Sequence, residues 1–298
     1  CGHDGHMAML LSFSEYIDTV KELDHNVLLI FQPAEETLGG AEEICKSGIF
    51  TKYNVRQVFG IHLWPFLPKG VISSRPGAFM PKSAEINVDI NGKAAHGTAP
   101  YEGLDALYIT ADYVKRTYGD HANMFGAIHR FKDGVGDLTY APCDIPEERT
   151  LIHFGKMESG YARNIVSDYS HLLGTVRAYD EDHFQKIIGI LTKNLEEIEK
   201  EYHCTTGFSH SDGYPPVIND KVLYDEIRPV LESLEGGYEE MPLPLMISED
   251  FSFYGQYAPA VFFVLGTGTG IPLHSTSFDF EEDLLLSGFA LYKALLTR

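Results

Sequence analysis

The sequence is poor in cysteine and in basic residues, and it lacks long apolar runs. Its 298 residues include four cysteines, none of them in a C-x-x-C pair. Four scattered thiols are too few for a disulfide framework at this length, and they favour a location in the reducing cytoplasm. The longest apolar runs, such as residues 27–31 and 261–265, are far shorter than the roughly 20 residues of a membrane-spanning helix. We therefore expect no membrane partner.

Acidic residues outnumber basic ones by a wide margin. Asp and Glu total 43 against 23 Lys and Arg, which gives a formal net charge of −20 at pH 7. Nucleic acids bind positively charged surfaces, so this charge excludes nucleic acid as a partner. The acidic residues are spread along the sequence, which indicates a solvated acidic surface. A length of 298 residues lies near the upper limit for a single core and favours two domains.

Helical patterns and short apolar runs alternate in the first part of the chain. Residues 7–23 carry apolar side chains at helical spacing, and residues 40–46 predict a second helix. Residues 26–31 form a continuous apolar run that is typical of a strand buried on both faces. Similar runs at 58–63 and 70–73 predict two further strands. This order indicates an α/β layer structure.

The pattern changes at about Pro81. Residues 84–90 alternate apolar and polar side chains, which predicts a strand with one face in water. The segments that complete a β-α-β-β-α order are a helix at 102–117, strands at 150–156 and 170–178, and a helix at 182–202. We therefore expect a small α+β domain inserted into the larger one.

The predicted fold class is α/β, with two domains. The larger domain consists of residues 1–80 and 217–298 and has a mostly parallel sheet, while residues 81–216 form the inserted α+β domain. In the last part of the chain, helices surround a buried strand at 261–265 and the chain ends in a helix at 281–296.

The side chains with metal-binding chemistry begin at the first residue. The sequence Cys1-Gly2-His3-Asp4-Gly5-His6 places a thiol, two imidazoles and a carboxylate in one glycine-rich turn before a helix. Glycine allows the backbone to turn sharply, so Cys1 and His3 can converge on one point. Thiolate and imidazole together are good ligands for zinc or a similar divalent ion. The alternative is a polar turn in which His3 or His6 caps the helix.

Two adjacent carboxylates follow the predicted strand at 26–31. Glu35 and Glu36 come at its C-terminal end, where open α/β sheets place their active sites. Adjacent side chains point in different directions, so one carboxylate can bind a metal while the other faces a substrate. The alternative is an exposed acidic turn, which is common in so acidic a protein.

Two histidines accompany later strands. His62 lies within the run at 58–63, and His274 follows the strand at 261–265 in a loop. Either one alone would more often be a histidine with a structural hydrogen bond. Together, a cysteine, two histidines and a glutamate beside buried strands are the donors that a metal site on an α/β sheet requires.

The order of these motifs resembles that of a known enzyme family. The segments CGHDGH, QPAEE, GIHLWP, AAHGTAP, ARNIVSD, GTVRAY, SEDF and PLHS are similar to those of the amidohydrolase branch of the aminoacylase and carboxypeptidase-G-like metallopeptidase family. That branch includes hippurate hydrolases, auxin-conjugate hydrolases and N-acetyldiaminopimelate deacetylases. The resemblance covers nearly the whole chain, and the motifs are specific in combination although none is specific alone.

The resemblance implies a dinuclear metal centre. Cys1 would bridge two divalent ions as a thiolate, with Glu36 and His274 completing one site and His3 and His62 completing the other. Zinc or manganese is expected in the two sites, and cobalt or nickel would also fit these donors.

The resemblance also implies a reaction. The enzyme would hydrolyse a small N-acyl amino acid, or a similar N-acyl amine, to a carboxylate and a free amine through a metal-activated water, with Glu35 as the general base. His96 would stabilise the oxyanion in the active site of a partner subunit, and Asn164 and Arg177 would bind the substrate carboxylate or steady the intermediate. The larger domain would be catalytic, and the inserted domain would serve as a lid and form a homodimer.

Two features depart from the family pattern. A segment with an Arg-Ala-Asp-x-Asp-Ala strand end precedes the Cys-Gly-His motif in this branch, so we expect that an N-terminal segment is missing and that this fragment binds metal poorly or is inactive. Residues 118–150 differ from the usual lid pattern, and a loop is predicted at 132–149. The motif at 248–251 has two interpretations: Ser248 caps a helix, or the motif hydrogen-bonds to a metal-binding histidine and supports it.

Two other functions compete with this interpretation. Cys1 could act as an N-terminal nucleophile with its own α-amino group as the base, which would leave the glutamates and the two later histidines without a role. The chain could also be a non-catalytic metal-binding or scaffold fragment.

Overall fold

The computed structural model describes residues 1–37, 39–120 and 149–298, which form two compact units. The first unit comprises Cys1–Met80, Val217–Leu245 and Glu249–Arg298. The second comprises Pro81–Pro216 and Met246–Ser248, a short segment that the sequence-based division left in the larger domain. The loop predicted at 132–149 lies, up to residue 148, outside the described residues.

Helices and strands occur in both units, and the predicted α/β fold class is confirmed. Short 3₁₀ helices are present at Pro100–Glu102, Asp250–Gln256 and Glu282–Leu284. The helices are α1 (His3–Thr19), α2 (Gly40–Lys46), α3 (Ile49–Lys52), α4 (Ala106–Asp120), α5 (Glu181–Tyr202), α6 (Lys221–Glu232) and α7 (Leu285–Leu296). The strands are β1 (Val58–Trp64), β2 (Ile72–Ser74), β3 (Gly77–Met80), β4 (Lys82–Asn91), β5 (Ala95–His96), β6 (Thr150–Ser159), β7 (Ile165–Val166), β8 (Tyr169–Ala178), β9 (Thr205–His210), β10 (Val217–Asn219), β11 (Tyr238–Glu240) and β12 (Ala260–Gly266).

The first unit has a four-stranded sheet in the order β1-β12-β2-β11. β12 pairs in parallel with β1 and antiparallel with β2, and β11 is parallel to β2. Every residue of β12 is buried, as its continuous apolar sequence predicts for a strand covered on both faces. The strands predicted at 58–63, 70–73 and 261–265 are therefore confirmed.

Helices cover this sheet through buried apolar side chains. Met9 of α1, Leu291 of α7 and Ile227 of α6 belong to one hydrophobic cluster that also includes Phe263 of β12. The side chain of Asp220 accepts a hydrogen bond from the Leu223 N–H at 2.8 Å and caps the N-terminus of α6. None of the helices in the described ranges is long and apolar enough to cross a membrane.

The prediction of a buried strand at 26–31 is wrong. These residues form no strand, and the side chains of Leu28 and Phe31 are 36% and 46% exposed. A continuous apolar run becomes a buried strand only when neighbouring strands pair with its backbone N–H and C=O groups. No strand within the described ranges pairs with this segment.

The second unit has an antiparallel sheet in the order β6-β8-β4-β9. Alternate residues of β4, such as Ile86 and Val88, are buried in a cluster with Ile109 of α4 and Leu191 of α5. The predicted β-α-β-β-α order is incomplete because it omits β9, an edge strand, and the short pair β5 and β7. The sequence of β9, TTGFSH, is mostly polar and lacks the alternation that reveals a half-buried strand.

The helix predicted at 102–117 begins later than expected. A 3₁₀ turn at Pro100–Glu102 comes first, and α4 starts at Ala106. The carboxylate of Asp105 accepts hydrogen bonds from the N–H groups of Leu107 and Tyr108 at 3.0 and 3.3 Å, which caps the first turn.

A buried asparagine ties three segments of the first unit together. The Asn219 Oδ1 atom accepts a hydrogen bond from the Phe262 N–H at 2.7 Å, and its Nδ2 atom donates to Ser74 Oγ at 3.0 Å and to the Arg75 carbonyl at 2.8 Å. Leaving such buried groups without partners costs about 1–3 kcal/mol.

We expect Asn219→Ala to lower the free energy of unfolding by about 2–3 kcal/mol, because buried donors and acceptors lose their partner. Chemical denaturation monitored by circular dichroism measures this change. Asn91→Ala is the matched control, since the Asn91 side chain is exposed and donates only to the Thr205 carbonyl at 3.3 Å. Equal losses in the two variants would contradict this account of the core.

Candidate metal centre

Gly2 brings the start of the chain close to β1. Its φ of 77° lies in the left-handed region, and a Cβ atom at this position would lie 2.7 Å from Leu63 Cδ1. Glycine adopts this positive φ without strain, whereas any other residue would be strained and would also displace the end of the Leu63 side chain. Cys1 and His3 consequently lie beside His62, and the ring centroids of His3 and His62 are 5.4 Å apart.

His62 is held as a neutral ring within β1. Its Nδ1 atom donates a hydrogen bond to the Leu63 carbonyl at 2.7 Å, which leaves Nε2 as the nitrogen with a free lone pair. Burial lowers the pKa of His62 to about 4, so the ring is neutral near pH 7. A neutral histidine with one nitrogen tied to a carbonyl is the form that binds metals.

His6 has a structural role, but it is not the helix cap that the sequence offered as an alternative, since α1 has no side-chain cap. Its Nε2 atom accepts a hydrogen bond from the Leu63 N–H at 3.0 Å, and its ring centroid lies 4.4 Å from that of His62. Burial lowers the pKa of His6 well below its usual value. The three-residue spacing from His3 on α1, which places both rings on one helix face, was the available signal.

The two adjacent glutamates lie in a tight turn. Ala34 has a φ of 64°, and its carbonyl accepts hydrogen bonds from the N–H groups of Thr37 at 3.2 Å and Gly39 at 2.9 Å. A positive φ is unfavourable for alanine, so surrounding contacts must hold this conformation. The turn directs Glu35 and Glu36 toward His3, whose Nε2 atom lies 3.6 Å from a carboxylate oxygen of each.

His274 completes the cluster from the loop after β12. Its Nε2 atom lies 2.7 Å from Cys1 Sγ and 3.5 Å from Glu36 Oε2. The His274 side chain is largely exposed, with a relative accessibility of 72%. Glu36 therefore contacts histidines from both the first helix and this loop.

The predicted metal ligands form two groups that share one residue. Cys1, His3 and His62 make up one group, and Cys1, Glu36 and His274 make up the other, with ligand atoms within 4.8 Å of one another in each. Within the second group, the 3.5 Å separation between His274 Nε2 and Glu36 Oε2 is close to the ~3.5 Å expected between neighbouring ligands of a tetrahedral ion. A thiolate common to both groups fits a pair of divalent ions.

Three carboxylates form a separate cluster beside these donors. Ligand atoms of Glu35, Glu249 and Asp250 also lie within 4.8 Å of one another. Burial, with the charges of Asp250 and Glu36, raises the pKa of Glu35 to about 7. Burial and the charge of Glu35 raise the pKa of Glu249 well above its usual value. A carboxylate that titrates near neutrality suits acid–base chemistry.

The other predicted site residues belong to the second unit. His96 on β5 and Asn164 are neighbours, because the N–H of Gly97 donates to the Asn164 carbonyl at 2.7 Å. The Nδ1 atom of His96 accepts from the Thr98 N–H at 3.3 Å and lies 2.8 Å from the Thr98 hydroxyl. With Nδ1 as the acceptor, Nε2 of the neutral ring carries the proton.

Arg177 and Ser248 are partners within the second unit. The Arg177 Nη1 atom donates to Ser248 Oγ at 2.9 Å, and burial lowers the pKa of the guanidinium. The suggestion that Ser248 caps a helix is wrong, since the following 3₁₀ helix begins at Asp250 after Glu249 and has no side-chain cap.

Comparisons with known proteins agree with this arrangement. The sequence profile of Peptidase family M20/M25/M40 matches residues 1–298. An uncharacterized hydrolase of Staphylococcus aureus (strain bovine RF122 / ET3-1) is 30% identical over 308 residues, which cover 99% of this chain and 75% of the relative. An uncharacterized hydrolase of Staphylococcus epidermidis is 31% identical over 312 residues, with the same coverages of 99% and 75%.

Two solved structures have the same fold. A protein from methicillin-resistant Staphylococcus aureus superposes with a TM-score of 0.80 at 23% identity, covering 99% of this chain and 72% of that one. A Bacillus subtilis protein, described as a dinuclear metal binding peptidase from the M20 family, superposes with a TM-score of 0.78 at 22% identity, covering 99% and 71%.

We expect His62→Ala to lower the divalent metal content of the full-length protein, because the substitution removes a donor from the buried side of the cluster. Elemental analysis after dialysis against metal-free buffer measures the stoichiometry. The control is His25→Ala, at an exposed histidine outside the cluster. Unchanged metal content in His62→Ala would contradict this ligand set.

Proposed function

The chain belongs to Peptidase family M20/M25/M40, and on this basis we propose that it is a metal-dependent amidohydrolase. The chain is a hydrolase, in agreement with the names of its relatives in Staphylococcus aureus and Staphylococcus epidermidis. The substrate we propose is an N-acyl amino acid, or a similar N-acyl amine, which is cleaved to a carboxylate and a free amine. The observation that carries the proposal is the pair of donor groups sharing Cys1, with Glu35 beside them.

We propose that the donors hold two divalent ions. Cys1, His3 and His62 would bind one ion, and Cys1, Glu36 and His274 the other. Zinc or manganese suits this mixture of thiolate, imidazole and carboxylate, and cobalt or nickel fits as well. Bound ions would polarise the amide carbonyl and lower the pKa of water to about 7. The Bacillus subtilis structure described as dinuclear supports this proposal.

Glu35 is the proposed general base. Its carboxylate lies 3.6 Å from His3 Nε2 but contributes to neither of the two groups that share Cys1. Glu36, unlike Glu35, also lies beside His274, which favours Glu36 as the ligand and leaves Glu35 for the substrate. Glu35 takes a proton from the attacking water and returns it to the leaving amine.

The second unit supplies the remaining proposed groups. The Nε2–H of His96 is a donor suited to an oxyanion. Asn164 lies beside it, since the Asn164 carbonyl accepts a hydrogen bond from the Gly97 N–H at 2.7 Å. Arg177 is half-buried, and within the described chain no carboxylate forms an ion pair with it. Its planar guanidinium suits the carboxylate of an amino acid. We also propose a cytoplasmic homodimer formed through this unit.

A second candidate function rests on one contact. The 2.7 Å distance between Cys1 Sγ and His274 Nε2 would also suit a thiol nucleophile activated by a histidine. That function leaves Glu36 and His62 without a role. Chelation separates the two, because only the metal-dependent reaction stops when metal is removed and resumes when metal is added.

Glu35→Gln should retain metal but lose turnover by about 100-fold or more, because an amide cannot accept the proton from water. Hydrolysis of a panel of N-acyl amino acids by the full-length protein, with metal content measured in parallel, checks this. Glu22→Gln, at an exposed glutamate, serves as the control. Normal turnover in Glu35→Gln would refute the base assignment, and tight metal uptake with no hydrolysis by the wild type would favour a non-catalytic protein.

Complementation tests the action of His96 in the partner subunit. We expect His96→Ala and Glu35→Gln homodimers to be inactive, because each lacks one catalytic group. In mixed dimers, one of the two active sites would contain both native residues and regain activity. Subunit exchange followed by tag-based isolation of heterodimers measures the recovery. Verified heterodimers that stay inactive would count against a role in trans.

A further inference from the structure

The motif at 248–251 contains a buried acid that the proposed chemistry does not use. Asp250 has a relative accessibility of 0% and begins the 3₁₀ helix at Asp250–Gln256. A buried carboxylate is costly unless hydrogen-bond donors satisfy both of its oxygens. The identity of those donors therefore indicates what this side chain holds in place.

Three hydrogen bonds to the Asp250 carboxylate come from the segment that carries Glu35 and Glu36. The Gln32 Nε2 atom donates to Oδ1 and Oδ2 of Asp250 at 2.8 and 2.7 Å. The Ala41 N–H donates to Oδ2 at 3.1 Å. The Tyr254 hydroxyl donates to Gln32 Oε1 at 2.6 Å, which fixes the orientation of the Gln32 amide.

These contacts lie at the two ends of one segment. Gln32 precedes the turn with Glu35 and Glu36, and Ala41 lies in the first turn of α2, where N–H groups have no partner within the helix. A single carboxylate thus binds the chain before and after both glutamates. The Asp250 carboxylate thereby holds residues 32 and 41 close together, and we call this set of hydrogen bonds the clamp.

The closed segment contains backbone that would not hold its shape alone. Ala34 has a φ of 64°, in a region that alanine rarely adopts. A Cβ atom on Gly40 would lie 2.1 Å from the Pro33 carbonyl oxygen, so the two ends of the turn are in close contact. Such conformations persist only where surrounding contacts determine them.

We propose that Asp250 is a positioning residue for the hydrolysis: by binding Gln32 and Ala41 it fixes the turn that presents Glu35 and Glu36. This inference rests on the proposed function, in which Glu35 moves the proton and Glu36 binds an ion. Small displacements of a catalytic group reduce the rate of the chemical step more than they weaken substrate binding. The clamp therefore acts on kcat.

The test is Asp250→Asn in the full-length protein at saturating metal. Asparagine has the same size, but its NH₂ group faces N–H donors where an acceptor is needed. We expect kcat to fall by about tenfold to 100-fold, with KM changed less than about twofold and metal content unchanged. Wild-type kcat, or full recovery of kcat by added metal alone, would overturn the proposal.

A double-mutant cycle with Gln32→Leu separates positioning from general destabilisation. Because Gln32 and Asp250 act through the same clamp, the double variant should lose little more kcat than the worse single variant. Additive losses would overturn the proposal. If Asp250→Asn does not fold, Gln32→Leu alone serves as the test, since this residue is only half-buried, and wild-type kcat in that variant overturns the proposal.

Asn219→Ala is the matched control for this experiment. It removes a buried polar side chain of the same unit whose hydrogen bonds go to Ser74, Arg75 and Phe262. We expect it to lower stability and leave kcat unchanged, and an equal loss of kcat would show a purely structural effect. An inactive Glu35→Gln with a fully active Asp250→Asn rejects only the clamp, whereas a fully active Glu35→Gln rejects the proposed function itself.

Discussion

The candidate centre depends on the parallel pairing of β1 with β12. This pairing sets His62 opposite Val264 and brings the loop after β12, with His274, to the same edge of the sheet. The carboxyl ends of parallel strands meet at one edge, which is why open α/β sheets collect functional groups there. Cys1 and His3 reach this edge because Gly2 lets α1 begin against β1. Donors separated by more than two hundred residues thus converge.

Carboxylates cluster at this edge of the sheet. The protein has a formal net charge of −20, and four of its carboxylates, those of Glu35, Glu36, Glu249 and Asp250, lie at the centre. Burial keeps His62 neutral and raises the pKa of Glu35 to about 7, so the acidic cluster carries less charge than its composition implies. Divalent cations would offset the remaining negative charge. The negative charge and the types of donor atom therefore both favour a divalent cation as the ligand.

Some elements were predictable because their signals are local. The apolar sequence of β12 predicted a strand buried on both faces, and the amphipathic pattern at 182–202 predicted α5 almost to its ends. The segment 26–31 has an equally apolar pattern but forms no strand, because a strand needs partners that no local pattern reveals. The polar edge strand β9 is the opposite case, since pairing created a strand without an apolar signal.

The sequence by itself determined which donors are present and in what order, because the chemistry of a thiol, an imidazole or a carboxylate belongs to each residue alone. Tertiary structure decided the rest. Only packing brought Cys1 within 2.7 Å of His274 and placed Asp250 on Gln32 and Ala41. Those distances depend on strand pairing and side-chain burial between segments far apart in the chain, and no local pattern encodes them.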